Sequence, residues 1–369
     1  MVSFHALLSF LHASPHPCYP SFFSLPPHRP LNVSLLTKPQ NPQPALPIPG
    51  TKVLAARNYA KSLWGQTAKI ETELPTGEGK SYFLKSAALD NLGRQMIEGE
   101  FESLRAIHQV SPTLVPYPHA WGKYETPLSS SGSDVYFLLE EFREIGHQPA
   151  VPPHAFTARM ADLHRKSVSP TGKFGFHITT CHATVPQLTD VWEDSWAVLY
   201  RKQLAHVVEL DRAKNGASWP EFHRLCDLVL DKVVPRLLEP LESDGRSIKP
   251  CLVQGDLWDE NTATDKGTGE AFVFDPCSFY AHNEYELGNW RAPRHRLSAK
   301  AYVESYKEHF PPSEPVEEWD DRNRLYSLRY DLAAAVFHPQ SSLRQAVKED
   351  MAVLCEKFFP GEVKEIARG

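Results

Sequence analysis

Leu252-Val253-Gln254-Gly255-Asp256-Leu257-Trp258-Asp259-Glu260-Asn261, followed by Phe272-Val273-Phe274-Asp275-Pro276, is the stretch whose reading decides the fold. A short apolar run enters it and a polar loop follows. Lys266-Gly267-Thr268-Gly269 makes a turn, and a second apolar run ends at Asp275. The pattern reads as a loop followed by a β-hairpin. Such a hairpin returns Asp275 to the side of Asn261.

These residue types suit the transfer of a phosphoryl group from ATP. A carboxylate must orient the attacking hydroxyl and accept its proton, and hard oxygen ligands must hold Mg²⁺ against the phosphates. Asp256 suits the first role, and Asn261 and Asp275 suit the second. The D-x-x-x-x-N spacing followed by an Asp after an apolar strand is the layout of protein kinases and their small-molecule relatives. Alone, the spacing fits a capping Asp and a turn Asn; the two apolar strands and Asp275 tip the reading toward a kinase.

The upstream sequence supplies the matching half. Ile70 to Leu74 and Ser81 to Lys85 read as strands, with Glu78-Gly79-Lys80 between them as a turn. Lys85 ends the second strand, where the kinase plan places a lysine that binds nucleotide phosphates and pairs with a Glu on the next helix. That helix runs roughly from Asp90 to Gln109 and stops before Ser111-Pro112. It offers Glu98, Glu100 and Glu102. At about 100° per residue, Met96, Ile97, Phe101, Leu104 and Ile107 form one apolar arc. Glu100 falls inside this arc, while Glu98 and Glu102 fall on the opposite, solvated side. A carboxylate on a buried face needs a cation, and Lys85 is the obvious one. Val135 to Glu140 is a continuous apolar run, read as a buried strand. By position, Glu140-Glu141-Phe142 connects two lobes, and the backbone of Glu140 and Phe142 is placed to bond adenine. Ala155 to Lys166 is helical, residues 187–240 read as helical and aromatic-rich, and helices follow from about Arg294.

A strand-rich N-terminal part followed by a mostly helical C-terminal part predicts an α+β, two-lobed protein-kinase-like architecture. The divisions expected are a disordered Pro-rich tail over 1–50, a nucleotide-binding lobe over 51–141 and a catalytic and substrate lobe over 142–369. Residues 1–50 hold no Asp or Glu and Arg29 is their sole arginine. They carry neither a basic segment ahead of an apolar one nor the arginines of a transit peptide, so organelle targeting has little support. A formal net charge of -6 argues against nucleic acid or anionic membranes as partners, and no run of eighteen apolar residues is present. The six cysteines are scattered, without a C-x-x-C pair, as in reduced thiols of a cytoplasmic protein. A monomer is expected.

With these pieces placed, the sequence resembles the fructosamine/ketosamine kinase family, within the wider aminoglycoside-phosphotransferase-like and protein-kinase-like fold group. The pieces that carry the resemblance include Tyr82-Phe83-Leu84-Lys85, the helix segment Met96–Leu104, Ala161-Asp162-Leu163-His164, Lys173-Phe174-Gly175-Phe176, Gly255-Asp256-Leu257-Trp258, and Phe274-Asp275-Pro276-Cys277-Ser278-Phe279-Tyr280-Ala281-His282. The resemblance implies ATP- and Mg²⁺-dependent phosphorylation of the 3-hydroxyl of ribulosamines or fructosamines, borne on protein lysines or small amines. The unstable 3-phosphate then breaks away and restores the amine. Trp258 is the expected sugar or amine platform, and His282 and Glu284 are placed to contact substrate. Each of the three has a competing structural reading. His164, Trp192 and Trp196 read as core.

The sequence departs from the family pattern at three places. Gln254 stands where a His is usual, Glu260 where a small residue precedes the metal-binding Asn, and the phosphate-covering segment Tyr59–Ala68 is not Gly-rich, leaving Ser62 and Thr67 as hydroxyls for phosphate. Two alternatives stay open: a related aminoglycoside- or choline-type phosphotransferase, and a catalytically inactive pseudokinase that binds nucleotide.

Overall fold

Alternation along three neighbouring strands sets the geometry of the N-terminal half. In the computed structural model, β1 (Lys52–Lys61), β2 (Gln66–Glu73), β3 (Gly79–Ala87), β4 (Pro118–Lys123) and β5 (Tyr136–Glu141) form an antiparallel sheet of order β1-β2-β3-β5-β4. The structure describes residues 46–61, 65–124, 132–150, 152–216, 219–338 and 341–368. Ser62 and the Pro-rich segment up to residue 45 lie outside the described residues.

Register decides which side chains share a face. Ile70 pairs with Tyr82, Ala68 with Leu84, and Leu84 with Leu139; these residues bury one small cluster together with Phe137. Residues displaced by one must point to the other face. Thr67 pairs with Lys85, and Lys85 with Leu138. Leu138 belongs to the main core, where Ile97, Leu104 and Ile107 of α1 (Asp90–Val110) also lie. The helix therefore covers the Lys85 side of the sheet. Its buried side carries Gly93, Ile97, Gly99, Glu100, Ser103, Leu104 and Ile107. Glu98 and Glu102 instead pair with Arg94 and Arg105 of their own helix, away from Lys85, though both are more shielded than the solvated face expected of them. Gly99 is needed where it stands: a Cβ there would come 3.0 Å from the Thr180 Cα. Ser103 Oγ accepts the Ser278 N–H at 2.8 Å.

The C-terminal part is mainly helical. It contains α2 (Pro153–Lys166), α3 (Trp196–Asn215), α4 (Pro220–Leu228), α5 (Val234–Leu238), α6 (Lys300–His309), α7 (Trp319–Phe337), α8 (Leu343–Phe358) and α9 (Pro360–Arg368). Short strands are threaded through it. The ladder Thr262–Asp265 with Ala271–Val273 is the predicted hairpin. Asp265 Oδ1 closes its turn by accepting the N–H groups of Gly267 and Thr268, each at 2.8 Å. Cys251–Val253 pairs with Phe279–Ala281, and Cys181–His182 pairs with Val185–Pro186. The expectation of helix from residue 187 fails at its start. Trp192 lies in a two-residue strand against Phe174-Gly175, and the helix begins at Trp196. Trp196 is fully buried and donates to the Tyr326 hydroxyl at 2.9 Å. No helix among the described residues is long and apolar enough to cross a membrane.

One buried ion pair pins α7 beneath the 3₁₀ segment Asn283–Arg291. Arg322 Nε and Nη2 donate to the two Glu284 oxygens at 2.8 and 3.0 Å. The guanidinium also bonds the carbonyls of Ser313 and Pro315. Both side chains are essentially inaccessible. Removing one partner of such a pair strands the other charge, at a cost of about 3–5 kcal/mol. Arg322→Ala should therefore lower the unfolding free energy by about 3–5 kcal/mol in urea denaturation; a loss below about 1 kcal/mol would show that the pair is replaceable by solvent.

Candidate active site

Lys85 reaches off β3 between two carboxylates. Its Nζ lies 2.7 Å from Glu100 Oε2 and 3.2 Å from Asp275 Oδ1. The first contact comes from the buried arc of α1, the second from the end of the hairpin in the C-terminal part. Burial works to lower the lysine's pKa, but Asp275 and Glu100 outweigh it and hold the ammonium charged. Glu140, on β5, is also buried. Burial, then Glu100 and Asp275, pushes its carboxyl well above the usual range. Glu100 Oε1 and Glu140 Oε2 have no hydrogen-bond partner. A carboxyl pushed up in this way leans to its neutral form, so Glu140 adds a polar group and not a charge beside the lysine.

The catalytic loop is suspended from both sides. Gly255 has φ +90, and a Cβ there would meet the Cys277 carbonyl oxygen at 2.3 Å, so only glycine fits. Gln254 is fully buried. Its Oε1 accepts the Asp256 N–H at 2.7 Å, and its Nε2 donates to the carbonyls of Phe274 at 2.8 Å and Asp275 at 3.3 Å. One amide therefore ties the loop to the strand end that carries Asp275, using both a donor and an acceptor. The fully buried Glu286 accepts the N–H groups of Gln254 at 2.5 Å and Gly255 at 3.0 Å. His164 stands behind Glu286 at 3.4 Å and meets the Tyr306 hydroxyl at 2.6 Å, which is the structural role read from the sequence. Asp259 accepts the N–H groups of Arg296 and Leu297. Glu260 lies in the 3₁₀ turn Asp259–Asn261 and is absent from the left-handed non-glycine residues, which among those described are Asp90, Ala183, Asp244 and Asp275. Position 260 therefore does not call for a glycine.

Asp256, Asn261 and Asp275 converge. Asn261 Nδ2 donates to the Asp256 carbonyl at 2.8 Å and to Asp256 Oδ2 at 3.2 Å. The Phe274 N–H bonds the Asn261 carbonyl at 3.1 Å, which brings Asp275 alongside. Asp256 Oδ1 receives Asn289 Nδ2 at 3.2 Å and faces His182 Nε2 at 3.1 Å. With Nδ2 spent on Asp256, the Asn261 Oδ1 is left for a hard cation. Magnesium fits this donor set, since it takes one or two protein carboxylates and fills its shell with water and phosphate oxygens. Among the described residues no group of three or more His, Cys, Asp or Glu could hold a metal by itself, so an ion here would depend on phosphate for its remaining ligands.

The other predicted residues divide. Thr67 sits across the ladder from Lys85. Phe142 follows the last residue of β5, beyond the ladder, with its ring against Tyr59 and under Lys69. Trp258 is half-buried and meets His295 edge-on at 5.5 Å. Two assignments are corrected. His282 is fully buried; its ring nitrogens are taken by the Tyr326 and Ser313 hydroxyls, each at 2.9 Å. Burial pulls its pKa down to about 4, with Glu284 opposing and Arg322 assisting. Glu284 is consumed by Arg322 and by the Ser313 N–H at 2.8 Å. Both residues brace the fold instead of facing substrate. His182, Glu286 and Asn289 were not singled out as site residues from the sequence. Glu286 and Asn289 lie in the polar run after His282, whose signal was noticed but placed on Glu284.

A family model described as fructosamine kinase matches residues 59–353. The chain is 30% identical to a chloroplastic protein-ribulosamine 3-kinase of Oryza sativa subsp. japonica, over 68% of this chain and 66% of that protein. The chain thus spans just under two thirds of that relative's length. A crystal structure assigned as a fructosamine-3-kinase of Thermobifida fusca superposes with a TM-score of 0.64 at 19% identity, covering 83% of this chain and 95% of that one. Aminoglycoside phosphotransferase APH(4)-Ia, in a ternary complex with AMP-PNP and hygromycin B, gives 0.50 at 16% identity over 86% of this chain and 94% of that one. These superpositions establish the two-lobed kinase-like fold, and the family match over most of the sequence establishes kinship: the chain belongs to the fructosamine kinase family.

Proposed function

We propose that the protein is an ATP- and magnesium-dependent ketosamine kinase that phosphorylates the 3-hydroxyl of ribulosamines or fructosamines on protein lysines or free amines. The observation that carries this reading is the bridge Glu100–Lys85–Asp275, set beside an Asp256 held by Asn261. ATP supplies the transferable phosphoryl group, and Mg²⁺ neutralises its charge. Lys85 presents a fixed ammonium to the phosphates. Thr67 adds a hydroxyl beside it, and the Glu140–Phe142 backbone is the adenine edge. Asn261 and Asp275 offer the metal-binding oxygens.

Asp256 takes the proton of the substrate hydroxyl as that oxygen gains the phosphoryl group, giving a ketosamine 3-phosphate and ADP. Decomposition of this phosphate would free the amine, which makes protein repair the biological role we assign. Trp258 is the aromatic surface offered to the sugar or its ammonium. We place the enzyme in the cytoplasm, as a monomer. The departure at Gln254 does not argue for an inactive relative, because its amide spans the two segments that carry Asp256 and Asp275.

Incubation with ATP, Mg²⁺ and a ribulosamine or a fructosamine should release ADP. Turnover of an aminoglycoside or choline alone would instead favour the related phosphotransferases. Nucleotide-induced thermal stabilisation without turnover of any acceptor would favour the pseudokinase. Asp256→Asn should lower kcat by about 10²–10⁴-fold, the usual contribution of a general base, and keep the stabilisation by ATP–Mg²⁺. Lys85→Met should lose that stabilisation. The reverse pattern between the two variants would show that the two roles have been exchanged.

A further inference from the structure

We infer that His182 is a positioning residue for the catalytic carboxylate: it holds Asp256 Oδ1 so that Oδ2 alone is left to receive the substrate's proton. The inference rests on the reading of Asp256 as the proton acceptor.

A carboxylate oxygen accepts two hydrogen bonds readily. Asp256 Oδ1 accepts Asn289 Nδ2 at 3.2 Å and is approached by His182 Nε2 at 3.1 Å. Oδ2 receives only Asn261 Nδ2, at 3.2 Å, so its second lone pair is open.

His182 differs from His164 and His282. His164 and His282 each spend both ring nitrogens on protein partners. His182 Nδ1 is buried with no hydrogen-bond partner. A histidine retained as a strut would satisfy both nitrogens; this ring makes one polar contact, and it is to Asp256. Its side chain is 12% exposed and that of Asp256 18%, so the contact lies largely out of water, where the attraction between the two groups is strengthened.

The surroundings fix the ring. The rings of Tyr330 and Phe337 meet it edge-on, with centroids at 6.0 and 6.4 Å. His182 opens a hairpin of two-residue turn, pairing with Val185 across Ala183-Thr184. Ala183 takes φ +52, the left-handed conformation that such tight turns require. The hairpin is tied to the rear of the catalytic loop, since Thr180 Oγ1 and Gln187 Nε2 both donate to the Cys277 carbonyl, at 3.3 and 3.2 Å. Gln187 in turn accepts Arg329 Nη2 at 2.7 Å. The turn and these ties fix a ring whose one polar contact is with Asp256.

The test compares His182→Ala and His182→Gln with the unaltered protein. Loss of the contact lets Asp256 rotate, so His182→Ala should lower kcat by about 10- to 100-fold. The KM for ATP and for the ketosamine, and the melting temperature, should stay near the unaltered values. His182→Gln keeps a donor and should recover part of kcat. The signature independent of activity is NMR of ¹⁵N-histidine-labelled protein. One Nε2–H resonance should vanish in His182→Ala and shift in Asp256→Ala.

An unchanged kcat in His182→Ala overturns the inference. So does a fall in kcat matched by a fall in melting temperature without rescue by Gln, or a His182 resonance indifferent to Asp256→Ala. If the unaltered protein turns over no ketosamine, the functional reading fails, and the two NMR spectra still decide whether His182 holds Asp256.

Discussion

The ammonium of Lys85 is the constraint from which the rest of the site is organised. It is charged, almost buried, and shared between Glu100 on α1 and Asp275 at the end of the hairpin. A lysine so placed cannot lose either partner cheaply, because the low-dielectric setting magnifies both the attraction and the cost of leaving it unpaired. The sheet register is fixed by the burial of Tyr82 and Leu84 on its other face, so β3 has no freedom to turn Lys85 away. The further carboxyl of Glu140 is driven toward its neutral form by burial and by Glu100 and Asp275, so the charged partners of the lysine stay these two.

The second half of the site is held mainly by backbone. Gln254 spans the loop and the strand end, Glu286 collects two consecutive N–H groups, and Gly255 passes against the Cys277 carbonyl. Oxygen ligands for a metal must be placed to within fractions of an ångström, and peptide groups tied down by the buried Gln254 and Glu286 side chains supply that precision. Gln254 does with an amide what an imidazole could do with its two nitrogens. An exchange of chemistry at that position therefore need not disturb Asp256 or Asp275.

Much of this was legible in the sequence where burial and periodicity act together. Glu100 was separable from Glu98 and Glu102 because only one of the three falls inside the apolar arc of α1. The hairpin between Asn261 and Asp275 was legible because two apolar runs flank a Gly-containing turn. The strands that escaped notice, β1 and β4, are the edges of the sheet. Edge strands bury little, so they lack the apolar signal that marks β3 and β5. Trp192 was read as helical because Trp196 follows it at helical spacing, but a two-residue strand has no periodicity to display. His282 and Glu284 were drawn toward the substrate by proximity in sequence to Asp275. Arg322, which claims Glu284, lies thirty-eight positions away, and no local pattern announces so distant a partner. His182 was hidden for the same reason, since its partner Asp256 comes from another element.

Helix α1 joins these two halves into one mechanical unit. Its Glu100 carries the lysine pair, its neighbouring Gly99 lets the helix seat on Thr179-Thr180, and its Ser103 captures the Ser278 N–H just beyond Asp275. Thr180 leads directly into the hairpin of His182. A shift of α1 would therefore alter the Lys85 bridge and the support of Asp256 together, whereas a surface helix would affect neither. The absence of a side chain at position 99 is what permits this coupling. A Cβ there would come 3.0 Å from the Thr180 Cα and 3.1 Å from the Thr179 carbonyl oxygen, so helix and hairpin would have to move apart slightly, and the lysine bridge and the support of Asp256 would shift with them.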